Sequence, residues 1–123
     1  MESQCLPNGI QRAFEITGYL GFSLEERARL LGYVEPVGDN PESLQREVTV
    51  LGKGTDLGKR CNLLLILDAL LVKIGRTDAA AKRRFVETER YQCFDDKTFK
   101  EWMSDGDLPR LEYAVQQLRY MST

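Results

Sequence analysis

The stretch VTVLGKGTDLGKRCNLLLILDAL, residues 48–70, decides the fold because it reads either as a nucleotide-binding strand, loop and helix or as a linker that enters a helix. A phosphate-binding P-loop requires G-x-x-x-x-G-K-[ST], since this spacing sets how many backbone amides wrap the phosphate, and the final hydroxyl holds magnesium. Gly52 and Gly58 are one residue too far apart, and Gly54 and Gly58 are one residue too close. Lys59 is followed by an arginine instead of serine or threonine. The spacing therefore predicts a linker and no nucleotide site.

The residues after this linker predict a long central helix from Asp56 to Ile74, with Thr55 or Asp56 as its N-cap and Gly75 at its end. Apolar residues recur at helical spacing along one face, namely Leu57, Leu64, Leu67, Leu71 and Ile74. Further apolar residues lie on the other faces, which indicates burial on several sides. This helix is therefore the predicted centre of the fold.

Two helices are predicted before the central one. Residues 10–20 place apolar side chains at helical spacing, and Gly21 follows where a left-handed C-cap would lie. Ser23 and Glu26 have the spacing of a capping box, in which each side chain satisfies a free backbone amide of the other residue. They predict a second, short helix that ends at Gly32.

A third short helix is predicted over residues 41–48, which gives the first three helices the order of a helix-turn-helix. A DNA-reading version joins its last two helices by a turn of about three or four residues and places basic or amide groups on the recognition helix. Here the connection, residues 33–40, is twice as long, and residues 24–47 hold six acidic and three basic residues. The pattern therefore predicts a degenerate helix-turn-helix-like part and disfavours DNA binding.

Three helices are predicted after the central one. Asp78 opens a helix through about Thr88, FDDKTFKEWMSDG contains a short helix closed by Gly106, and Asp107 with Pro109 opens the last helix. The apolar stripe of the last helix consists of Leu111, Ala114, Val115, Leu118 and Met121. The whole pattern predicts an all-α fold, a compact single-domain helical bundle of about six to seven helices. Its N-terminal part is residues 1–55, and the central helix and C-terminal part are residues 56–123.

Composition excludes several classes of function. The chain has 123 residues, a net charge of -2, no histidine and three widely spaced cysteines, so no disulfide framework or Cys-x-x-Cys pair is predicted. Without histidine, the commonest general base and the commonest zinc ligand are both missing. No apolar run is long enough to span a membrane, and the first residues lack a secretory pattern. We therefore expect a cytoplasmic protein with no cofactor, no metal site, no membrane contact and no enzymatic activity.

The central third of the chain is basic although the whole chain is slightly acidic. Residues 56–93 contain eight basic and five acidic residues. The run Lys82, Arg83 and Arg84 lies within this third and is interpreted as a solvated helix face. The alternative interpretation is a surface that meets an acidic partner or phosphates.

Three stretches carry a family resemblance: AFEITGYLGFSLEERARLLGY, KRCNLLLILDAL and FDDKTFKEWMSDGDLPRLEYAVQQLRYM. The matched positions are Tyr19, Gly21, Phe22, Ser23, Glu25, Glu26, Leu30, Leu31 and Gly32, then Arg60, Leu64, Ile66, Ala69 and Leu70, then Phe94, Phe99, Met103, Gly106, Leu111, Val115 and Leu118. In this order the chain resembles the antitoxins of the Xre/MbcA/ParS type. It departs from them at Phe85, where the family has a tryptophan followed shortly by Pro-Asn, and at Asp95 and Asp96, where the family has glycines.

The resemblance implies a protein that binds and neutralises a RES-domain toxin, an NAD-depleting enzyme, by covering its active site with the C-terminal region. It also implies self-association as a homodimer. The candidate partner-binding residues are Phe94, Phe99, Trp102, Met103, Asp105, Gly106, Arg110, Tyr113, Gln117 and Tyr120. Large aromatic side chains and arginine are favoured at protein interfaces, whereas Trp102 and Met103 have packing in the core as their alternative role. The alternative functions are a DNA-binding transcriptional regulator and a phage or host inhibitor or adaptor with a helical fold.

Overall fold

The structure, a computed structural model, describes residues 5–33 and 56–123. Six α-helices lie in these ranges: α1 (Cys5–Tyr19), α2 (Leu24–Leu30), α3 (Leu57–Lys73), α4 (Ala79–Thr88), α5 (Phe99–Met103) and α6 (Leu108–Met121). Two short antiparallel strands, β1 (Arg90–Tyr91) and β2 (Lys97–Thr98), flank a single 3-10 turn at Gln92–Phe94. The helix predicted over residues 41–48 lies outside the described residues. The fold is compact and all-α, as the sequence predicts.

The boundaries of α2 follow from its caps. The Ser23 hydroxyl accepts a hydrogen bond from the Glu26 amide at 3.2 Å, and the Ser23 amide donates to the Glu26 carboxylate at 2.8 Å. Gly21 and Gly32 have positive φ angles and lie where α1 and α2 end. The predicted capping box and both predicted helix ends are therefore confirmed.

Helix α3 is the central helix, but its N-cap differs in one respect from the prediction. Its buried residues are Leu57, Arg60, Cys61, Leu64, Leu67, Asp68, Leu70 and Leu71. Asp56 precedes it with a left-handed backbone, φ +55°, and its side chain makes no capping hydrogen bond. Asp56 therefore lies at the predicted N-cap position, where its carbonyl accepts the Arg60 amide at 2.9 Å, but it caps without its side chain, because a residue with this backbone does not aim its carboxylate at the first helical amides. Thr55 lies outside the described residues.

The C-terminal helices begin at the caps that the sequence predicts. The Asp78 carboxylate accepts a hydrogen bond from the Ala81 amide at 2.8 Å, and the Asp107 carboxylate accepts one from the Arg110 amide at 3.3 Å. On the last helix, Met121 is 39% exposed and does not join the buried stripe. That part of the prediction is wrong: the buried stripe of α6 ends at Leu118, and Met121 is the exposed final residue of the helix.

One core cluster includes side chains from both parts of the described chain. Helix α1 packs most extensively on α3, α3 packs on α6, and α5 packs on α4 and α6. The cluster runs from Ile10 on α1 through Leu64 on α3 to Leu118 on α6. Burial of this apolar surface is the main favourable contribution to folding.

The two cysteines whose side chains the structure describes differ in exposure, and we expect them to differ in reactivity. Cys61 is buried in α3, and burial raises the pKa of its thiol to about 11, whereas Cys93 is exposed. In the folded protein iodoacetamide should label Cys93 at least about tenfold faster than Cys61, because only the accessible thiolate reacts. Peptide mapping by mass spectrometry measures both rates. Equal rates in the folded protein would contradict the burial of Cys61, and denaturation in urea provides the control in which both thiols react.

Candidate functional site

Six aromatic side chains form a cluster in the C-terminal part of the chain, beneath the predicted partner-binding residues that reach the surface. Its members are Phe85, Tyr91, Phe94, Phe99, Trp102 and Tyr113. Phe94 and Phe99 meet edge to face with their ring centroids 4.8 Å apart, and both are completely buried. Such a geometry aligns the positive edge of one ring with the negative face of the other. The cluster therefore provides a well-packed floor below the surface residues.

Trp102 lies on this floor in one fixed orientation. Its ring is stacked on Phe94, with centroids 5.1 Å apart and an interplanar angle of 20°. Its indole N–H donates a hydrogen bond to the Arg110 carbonyl at 3.1 Å. The Arg110 guanidinium lies 4.4 Å from the Trp102 ring centroid, within cation–π range. Trp102 is half-buried, so part of its ring and the guanidinium above it reach the surface.

Asp105 completes the arrangement around Arg110. Its carboxylate Oδ2 lies 3.6 Å from Nη1 of Arg110, and its Oδ1 accepts a hydrogen bond from the Asp107 amide at 3.0 Å. The second contact ties the Asp105 side chain to the backbone of the turn between α5 and α6. Asp105 therefore neutralises the charge of Arg110 at a distance slightly longer than a hydrogen bond.

Helix α6 presents a stripe of larger side chains beside Trp102. Arg110, Tyr113, Gln117 and Tyr120 follow at intervals of three, four and three residues, which places them within about 80° of one another around the helix. Tyr120 is 63% exposed, and its hydroxyl accepts a hydrogen bond from the Gln116 side chain at 3.3 Å. We call the stripe Arg110, Tyr113, Gln117 and Tyr120, together with the adjacent Trp102 of α5, the outer face of α6.

The structure divides the ten predicted partner-binding residues into two groups. Phe94, Phe99 and Met103 have no exposed surface, and Gly106 is also buried. These four residues support the surface from below, because a partner protein cannot touch them while the core is intact. The other six reach the surface: Trp102, Asp105, Arg110, Tyr113, Gln117 and Tyr120.

A second polar cluster, which the sequence did not reveal, joins α1, α3 and α4. Lys82 Nζ lies 2.8 Å from Oδ1 of Asp68, and both side chains are almost fully buried. The Tyr19 hydroxyl donates to the same carboxylate, and Arg12 lies 3.3 Å from its other oxygen. Burial, followed by the hydrogen bond to Asp68, raises the pKa of Tyr19, so the phenol stays protonated at neutral pH. The interpretation of Lys82 as part of a solvated face is therefore wrong.

Arg60 forms a third buried polar contact, at the start of α3. Its Nη1 donates to the carbonyls of Arg29, Leu30 and Gly106 at 3.1, 3.3 and 2.6 Å. Burial lowers the pKa of Arg60 from its ordinary value. These bonds satisfy carbonyls at the end of α2 and in the turn before α6, so Arg60 positions the turn that carries Asp105.

Comparisons with protein families, curated proteins and solved structures gave no match to this chain. Within residues 5–33 and 56–123, no group of three or more His, Cys, Asp or Glu side chains could hold a metal ion. No helix in the same ranges is long and apolar enough to cross a membrane. Of the surfaces described above, the outer face of α6 is the one that presents aromatic side chains and a charged donor together.

Proposed function

We propose that this chain is a non-catalytic protein-binding module of the cytoplasm that binds its partner through the outer face of α6. The observation that supports this proposal is the half-buried Trp102 held below Arg110, with the exposed Tyr120 on the same side of α6. Tryptophan, tyrosine and arginine are the residues that most often dominate the binding energy of protein interfaces. A soluble domain rarely places several of them on one face without a partner.

The rigidity of this face favours tight binding. Trp102 is held by a ring stack, a hydrogen bond and a cation above it, so its side chain loses little rotamer freedom when a partner binds. Ordering of free side chains is among the main costs of association. A partner would therefore keep most of the binding energy that burial of Trp102 supplies.

The identity of the partner in this proposal comes from the sequence resemblance. It implies a RES-domain toxin that depletes NAD, and inhibition of such an enzyme requires only that its active site be covered. An inhibitor of this kind needs no catalytic groups of its own. A homodimer of the inhibitor is part of the same implication.

Replacement of Tyr120 by alanine is expected to weaken the complex by about tenfold to thirtyfold, because a large aromatic contact on the outer face of α6 is lost. The free energy of unfolding should change by less than about 0.5 kcal/mol, since Tyr120 is 63% exposed. Titration calorimetry with the purified partner measures the affinity, and urea denaturation measures the stability. Arg119→Ala is the matched control, because Arg119 is an exposed neighbour on another side of the helix. Equal losses for both variants would contradict the assignment of the surface.

The function is tested by affinity capture of the tagged protein from a lysate of its own source, with a high-salt wash and mass spectrometry. We expect a small RES-like enzyme that consumes NAD when free and is inactive in the complex. Recovery of a protein without NAD-consuming activity would overturn the toxin assignment. Recovery of no protein, together with salt-dependent binding of duplex DNA, would favour the transcriptional regulator instead.

A further inference from the structure

We infer that the outer face of α6 recognises an acidic segment of its partner, in which one Asp or Glu carboxylate binds the Arg110 guanidinium above the Trp102 ring. This inference rests on the proposed protein-binding function and specifies the chemistry of the partner. It follows from three features of Arg110: its orientation, its hydrogen-bonding state and the charge next to it.

The orientation of the Arg110 guanidinium is set before any partner binds. The guanidinium lies over the Trp102 ring, which is itself stacked on the buried Phe94. Arginine presents its N–H donors at the edge of a plane, in a fork that matches the two oxygens of a carboxylate. The guanidinium carbon lies 4.4 Å from the Trp102 ring centroid and the Arg110 side chain is 35% exposed, so its N–H donors can reach an approaching group.

The hydrogen-bonding capacity of the Arg110 guanidinium is unused within the part of the chain that the structure describes. Its guanidinium makes no hydrogen bond with any side chain or carbonyl in residues 5–33 and 56–123, and its one ion pair there is the 3.6 Å contact with Asp105. Asp105 is held at this distance by its bond to the Asp107 amide. The Asp105 carboxylate therefore steadies the guanidinium without forming the paired hydrogen bonds that the fork allows.

The charge next to Arg110 favours a carboxylate over a phosphate. Asp105 places a negative charge 3.6 Å from the Arg110 guanidinium, so the pair has almost no net charge and offers little to offset the desolvation of a bound anion, a cost that rises with the anion's charge. A carboxylate carries a single negative charge, whereas a phosphate group carries up to two near neutral pH. Nucleic acids, in addition, bind through several cations together. A protein segment with one carboxylate and apolar neighbours for Tyr113 and Tyr120 fits this face best.

Trp102 is the only tryptophan of the chain, so its fluorescence reports directly on this site. The probes are the peptides acetyl-Leu-Glu-Leu-amide and acetyl-Leu-Gln-Leu-amide, titrated to about 10 mM, where weak single-site binding becomes measurable. We expect the glutamate peptide to bind about tenfold more tightly than the glutamine peptide, because only the carboxylate forms the paired charge-assisted bonds. Arg110→Gln should abolish this tenfold preference. Arg110→Lys, which keeps the charge without the fork, should retain about a third of the preference. Arg119→Gln is the matched control and should leave it unchanged.

Asp105→Asn provides a second test, because it removes the competing negative charge without removing the side chain. It should tighten binding of the glutamate peptide by about threefold. Equal binding of the two peptides, or no saturable response to the glutamate peptide, would overturn the inference. An equal, Arg110-dependent response to inorganic phosphate would also overturn it. Circular dichroism of each variant verifies that the fold is intact.

The inference and the proposed function can fail separately. If the chain captures and inhibits an NAD-consuming enzyme equally well with Arg110→Gln, the inference is wrong and the function stands. If the glutamate peptide binds selectively but no such enzyme is captured, the carboxylate site stands and the toxin assignment is wrong.

Discussion

Replacement of Lys82 by methionine is expected to lower the free energy of unfolding by about 3 kcal/mol, the usual cost of removing one member of a buried ion pair. The methionine side chain keeps most of the apolar stem of Lys82 and deletes only its charge. Asp68 would then be left buried with Tyr19 and the half-exposed Arg12 as its remaining partners. Urea denaturation followed by circular dichroism measures the change. A loss of this size is a large fraction of the stability of a small domain.

Two controls separate the lost charge pair from other effects of the Lys82 substitution. Lys59 forms an ion pair with Glu112 at 2.9 Å in which both side chains are largely exposed, so Lys59→Met should have little effect. The double variant Lys82→Met, Asp68→Leu should recover much of the lost stability, because it no longer buries an incompletely paired carboxylate. If Lys82→Met lowers the free energy of unfolding no more than Lys59→Met does, the buried ion pair does not hold α3 and α4 together.

Replacement of Gly106 by alanine is expected to destabilise the protein by about 2 to 4 kcal/mol through two separate effects. Gly106 has φ +75°, a left-handed backbone that costs alanine about 1 kcal/mol or more. A Cβ at this position would also lie 2.5 Å from the carbonyl carbon of Arg29 and closer still to its oxygen. Because these are backbone atoms at the end of α2, one of the two segments must move, at a typical cost of about 1 to 3 kcal/mol. Thermal and urea denaturation both measure the loss.

Gly75→Ala is the matched control for the Gly106 substitution. Gly75 also has a positive φ, +95°, but a Cβ there would meet no atom of residues 5–33 and 56–123 within 4 Å. This variant therefore isolates the backbone effect, and we expect it to cost about 1 kcal/mol. If the two alanine variants were equally stable, the close approach between Gly106 and Arg29 would not exist in solution.

The sequence predicts the helices of the described chain because their ends are specified locally. Ser23, Asp78 and Asp107 each accept a hydrogen bond from an amide three residues ahead, so the cap and its helix lie in one short stretch of sequence. The β1–β2 hairpin was not predicted, because strands of two residues have no detectable alternation. Its turn contains Asp95 and Asp96 in left-handed conformation, at the positions where the resembling family has glycines.

The buried polar contacts could not be predicted because their partners are distant in sequence. Lys82 lies beside two arginines, and nothing in that run shows that its side chain alone turns inward to Asp68, fourteen residues away. The apolar neighbours Phe85 and Val86, three and four residues after Lys82, are the signal that could have placed it on the buried face.

The sequence predicts which residues form the candidate surface region but not which of them are buried. Aromatic residues near the C-terminus indicated an interface, yet the same residue types form cores and surfaces, so Phe94 and Trp102 could not be told apart from the sequence. The structure distinguishes them: Phe94 is fully buried, whereas Trp102 is only half-buried, below Arg110. That distinction depends on α6 packing over the 3-10 turn, which is a tertiary contact.

The bonds of Arg60 have a consequence for how the protein opens. One guanidinium joins the end of α2 and the turn before α6 to the first turn of α3, although these segments lie 30 and 46 residues away from it. Loops usually undergo local unfolding at a small fraction of the global free energy. Here the turn that carries Asp105 cannot fray alone without breaking buried hydrogen bonds. The turn between α5 and α6 is therefore tied to the folded core, and we expect it to resist proteolysis until the core itself opens.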